Sequence, residues 1–135
     1  MPESLTPFIA LAAGGMVVAV SAIIVSTLRP AAPGNAVLAG TLAAGFAGFT
    51  AVTIATEGVF PVILNHTTNL WGVQVWWDLL FSLGIAIFLI LPRARAQGMS
   101  VWPWIAFILA TASIGLLAMC ARLFWLENRA GAAAR

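Results

Sequence analysis

Four long apolar runs, over about 7–28, 36–56, 73–91 and 101–126, alternate with short stretches rich in Arg, Pro, Gly or Asn. A helix needs about 20 apolar residues to cross about 30 Å of hydrocarbon, and open backbone cannot face lipid. The pattern therefore predicts an all-α, polytopic integral membrane protein: a single transmembrane domain over 1–135, built as a four-transmembrane-helix bundle. The borders carry helix punctuation. Pro7 suits a first turn, Arg29-Pro30 and Pro33-Gly34 break the chain, and Asn35 caps the second helix. Pro92 is expected to end the third, Gly98 sits in the turn before the fourth, and Asn128 and Gly131 follow it. The residues before Pro7 carry Glu3 and no Arg or Lys, so the first run reads as a retained helix rather than a signal peptide.

Tryptophans support the count. Trp71, Trp76, Trp77 and Trp125 fall at one predicted border, and Trp102 and Trp104 at the other. Indole anchors helices there because it joins an apolar body to one N–H donor.

Composition narrows the class. Of 135 residues, 62% are apolar and 7% charged, against about 45–50% and about 25% in soluble domains. An ordinary soluble enzyme, a disordered tail and a nucleic-acid-binding domain are excluded; no basic run of the kind nucleic acid needs is present. All six basic residues are Arg, and Lys and Tyr are absent. With the Ala and Gly bias, this suggests a GC-rich bacterial genome and hence an inner-membrane location. Positive-inside logic puts Arg29, Arg93 and Arg95 in the cytoplasm and both termini outside, with Arg129 and Arg135 opposing that orientation. The lone Cys120 forms no internal disulfide and reads as a small hydrophobe.

Small residues at four-residue spacing let helices approach closely in lipid. Gly40, Ala44 and Gly48 do this in the second run, and Gly115 follows Thr111 in the fourth. Packing within the bundle is the plainer reading. The functional one is a docking face for a protein partner or a second copy.

Polar side chains gather opposite the arginine turns. Segment 57–72 begins apolar, kinks at Pro61 and turns polar at Asn65, His66 and Thr67, so it lies along the interface or dips into the bundle. Its Asn65-His66-Thr67 fits a glycosylation pattern, taken as chance in a bacterial chain. At about 1.5 Å rise per residue, Glu57 and Arg122 stand about 31 Å from the arginine turns and could pair. Asp78 stands about 20 Å up. An ionised group in hydrocarbon costs about 2.5–3.5 kcal/mol, so Asp78 needs the bundle interior, a proton or a donor. The candidate intramembrane polar site is Asp78, Arg122, Glu57, His66, Asn65 and Ser82. Four of them have a plainer role: Asp78 anchors the connecting segment, Arg122 snorkels to head groups, His66 is a solvated loop residue, and Glu57 is an interfacial cap. One His without a His or Cys partner gives no metal site. No nucleophile–base constellation is visible, and no cofactor is indicated.

The third and fourth runs also carry a resemblance. Asp78 and Ser82 are followed by Pro-Arg-Ala-Arg-Ala-Gln-Gly-Met at 92–99, then by Ala110-Thr111, 113–116 and Trp125-Leu126-Glu127. Over about 71–128 this is similar to a bacterial inner-membrane family, domain-of-unknown-function family twenty-eight thirty-four. That family shows Asp and Ser on one helix, an acidic-Gly-Arg-Arg-Leu-Gly-Met turn and a closing helix ending in Leu-Arg-Glu. The turn here lacks the acid and the adjacent Arg pair, and an additional helix precedes. The resemblance implies a membrane bundle and no mechanism.

The leading functional expectation is a small non-enzymatic inner-membrane protein, an accessory or assembly subunit in contact with membrane lipids and a partner chain. One alternative is a module that binds or transports a lipophilic ligand, pigment or proton around Asp78. A second is a small membrane enzyme acting on a lipid or isoprenoid through Asp78 and Glu57.

Overall fold

The computed structural model of the chain describes residues 6–28 and 34–133. Every regular element among them is a helix. They belong to two compact units, divided between Gly34 and Asn35.

The first unit holds one helix, α1 (Thr6–Thr27). Its last hydroxyls turn onto their own backbone, Ser26 and Thr27 donating to the carbonyls of Ala22 and Ile23 at 2.8 Å. Hydroxyls satisfied in this way need no water, which suits an apolar surrounding.

The second unit contains α2 (Ala36–Glu57), α3 (Pro61–Thr67), α4 (Leu70–Ala96), α5 (Val101–Thr111) and α6 (Ser113–Ala133). Asn35 caps α2, its side-chain oxygen accepting from the Leu38 N–H at 3.0 Å. Gly58, at φ +83°, ends it. Asn69 caps α4 by accepting from the Gly72 N–H at 2.8 Å. Contrary to expectation, α4 does not stop at Pro92 but runs on to Ala96. A proline removes one donor from a helix, and membrane helices tolerate this. The chain then turns at Gly98, φ +68°, where the Met99 N–H donates to the Ala94 carbonyl. Helices α1, α2 and α4 are each long and apolar enough to cross a membrane.

The fourth apolar run is not one helix. It breaks at Ala112, whose φ of +51° is the one positive value outside glycine among the described residues. There α6 folds back along α5. Gly115 permits the reversal: a Cβ on it would lie 2.8 Å from both the nitrogen and the Cα of Ile108. At 11 residues, α5 is about 16 Å long, roughly half the hydrocarbon thickness. A helical hairpin therefore stands where a fourth spanning helix was expected. Apolar content cannot distinguish the two, because both need an uninterrupted hydrophobic run.

This hairpin forms the core with α4. Ile108, Met119 and Leu123 are fully buried, joined by Val101 of α5 and by Leu83 and Ala94 of α4. Helix α2 lies on α6 and buries Ala39 and Ala43. A Cβ on Gly40 would lie 3.9 Å from that of Ala121, an ordinary contact. Ala44 and Gly48, one step around the helix, are exposed.

Candidate functional site

Asp78 lies in the N-terminal half of α4, between Gln74 and Ser82. Four-residue spacing lines the three up on one helix face. The buried side of α4 is set by Leu83, Ile87 and Ala94, roughly 140–180° around the axis from Asp78 at 100° per residue. All three polar residues are exposed. Of the three settings open to Asp78, the interior of its own unit is not the one it takes: it lies on the side of α4 away from that core. Among the described residues the one ion pair is Arg93–Glu127, so Asp78 has no basic partner there.

Segment 57–72 runs from the end of α2 through α3 into the first turn of α4. Gly72 lets α3 fold onto the first turn of α4, since a Cβ there would fall on the Asn65 carbonyl oxygen. The His66 Nδ1–H donates to the Val62 carbonyl at 2.5 Å, and its ring lies 5.3 Å from that of Trp76. Thr67 and Thr68 donate to the carbonyls of Ile63 and Leu64. These bonds are local, and the segment largely satisfies itself. Asn65 and Glu57 are exposed, Glu57 as the last residue of α2.

The other end of the unit carries its arginines, together with Glu127. Arg93, in the last turns of α4, makes a two-pronged pair with Glu127 of α6, Nε to Oε1 at 2.9 Å and Nη2 to Oε2 at 2.7 Å. Its guanidinium also lies 5.5 Å from the Phe124 ring. Arg122 and Arg129 both stack on Trp125, at 4.5 and 4.6 Å from the ring centre. Between the α4–α5 turn and α6 opens a cleft of about 290 Å³, lined by Gln97, Ser100, Trp104, Arg122 and Leu126 among others.

This arrangement corrects two expectations. Arg122 forms no ion pair with Glu57; it stacks on Trp125 and lines the same cleft as Ser100. Trp125 belongs with Trp104 at one end of the hairpin, whereas Trp71, Trp76 and Trp77 belong to the start of α4. Counting helical rise assumed an unbroken fourth helix, and the turn at Ala112 reverses that count. Glu127 was not singled out for a partner, although its charge complements Arg93.

The structure brings no two of Asp78, Glu57, His66 and Arg122 into an ion pair or side-chain hydrogen bond. No group of three His, Cys, Asp or Glu side chains suited to a metal occurs among the described residues. Comparison with family models, curated proteins and solved structures finds no match to the chain.

Proposed function

We propose that the protein is a small non-enzymatic subunit of a membrane complex, holding a partner chain within the bilayer through the Gln74–Asp78–Ser82 face of α4. The observation that carries this reading is the exposure of these three residues on a span-length apolar helix, opposite its packed side. In hydrocarbon such groups are costly unless another polar group meets them, and hydrogen bonds of this kind join membrane helices. The exposed Ala44 and Gly48 of α2 offer a second close-packing face.

The proposed topology has three spans, α1, α2 and α4, followed by a re-entrant hairpin of α5 and α6. Arg93, Arg95, Arg122 and Arg129 then share one side, and Arg29 reaches it by chain order. Positive-inside logic makes that side the cytoplasm of a bacterial inner membrane. The N-terminus lies outside, and the chain beyond α6 is cytoplasmic rather than external. The resemblance over 71–128 belongs to the same reading, since it puts Asp78 and Ser82 together on one helix.

Native mass spectrometry of the protein extracted gently from its own membrane tests the assignment. A stoichiometric complex with another polypeptide is expected, and Asp78→Leu should release it while the helical content of the chain persists. A bare monomer overturns the subunit reading. If that monomer retained a small molecule, Asp78 would be a ligand site instead.

A further inference from the structure

We infer that the cleft between the α4–α5 turn and α6 binds the phosphate of an anionic lipid head group. Charge is the first argument. Four arginines and one acid occupy this end of the described unit, and Glu127 is engaged by Arg93. Arg122 and Arg129 have no acidic partner among the described residues, yet Trp125 holds both guanidiniums close to one ring. Two guanidiniums on one ring, with no acid paired to either among the described residues, favour an anion nearby.

The cleft supplies the remaining chemistry. Gln97, Ser100, Trp104 and Arg122 bring amide, hydroxyl, indole and guanidinium donors, and no acidic side chain lines it. The Ser100 hydroxyl makes no capping bond although it stands at the start of α5, so it remains available. Arginine suits phosphate oxygens because its planar fork can donate two parallel bonds. Met99, Pro103 and Leu126 form the apolar part of the lining. Trp102 and Leu109 also expose large apolar surface on α5. A phosphate attached to acyl chains matches a cleft with this apolar wall better than free phosphate. The inference rests on the proposed membrane topology but not on the Asp78 face.

The test uses the full chain in vesicles of phosphatidylcholine containing a minor share of phosphatidylglycerol. Lipids retained after extraction are counted by native mass spectrometry. Phosphatidylglycerol should be retained over phosphatidylcholine. Replacing Arg122 of the cleft together with Arg129, its neighbour on the Trp125 ring, by Arg122→Gln with Arg129→Gln, should weaken the apparent affinity about thirtyfold, at about 1 kcal/mol per arginine. Arg95→Gln removes a charge from the same end without altering the cleft, and should change affinity less than Arg122→Gln. Equal losses in those two single variants would mean diffuse surface attraction and overturn the site. Lack of preference between the two lipids would also overturn it, as would full displacement by inorganic phosphate, which would identify a free-phosphate site. Circular dichroism of each variant separates lost binding from lost fold. Asp78→Leu should keep the lipid while releasing the partner, so the two proposals fail independently.

Discussion

Ala112 and Gly115 decide the path of the last third of the chain. Ala112 holds a positive φ that a side chain normally avoids, and such strain costs on the order of 1–3 kcal/mol. Ala112→Gly should therefore stabilise the protein by about 1 kcal/mol, read as a higher unfolding midpoint in detergent. Gly115→Ala should act the other way. Its methyl would meet the Ile108 backbone, which cannot swing aside as a side chain can. A loss of about 1–3 kcal/mol is expected, the usual cost of overpacking, and an unchanged midpoint would show that α6 is not seated on α5 as described. Capping residues such as Asn35 were legible because their signal is local. The turn at Ala112 was not, because alanine has no turn preference and the deciding contact lies between Gly115 and Ile108. Gly115 was noticed, but as part of a small-residue patch.

At the scale of elements, the Arg93–Glu127 pair clasps the end of α4 to α6. It lies near the surface, the Arg93 side chain being 47% exposed, so its contribution is modest despite the two-pronged geometry. Glu127→Gln should lower stability by about 1 kcal/mol or less, because exposed pairs rarely exceed that. The difference between variant and parent should shrink as salt is raised, since screening already weakens the pair; a salt-independent loss would point to packing around Phe124 instead. Helices α1, α2 and α4 could be read from their apolar length and flanking residues, although α4 extended beyond both predicted ends. Segment 57–72 was recognised as neither free loop nor span. Its actual form, a short helix folded onto α4, depends on the absence of a side chain at Gly72.

For the whole molecule, the hairpin changes which residues share a side. In a chain with Cys120→Ala, single cysteines replacing Gln97 and Arg129 should react with a membrane-impermeant maleimide from the same side. Labelling from opposite sides would restore a four-span topology. The candidate site was legible as a set of residue types, and Asp78 and Arg122 were both named from sequence. Their separation was not legible, because it depends on the direction α6 takes after Ala112. That direction bears on biosynthesis. A fourth span would require Arg122 and Arg129 to be carried through the hydrocarbon, at about 2.5–3.5 kcal/mol for each arginine at its centre. A hairpin that enters and leaves by one face lets the insertion machinery release α4 and the segment after it without translocating either charge.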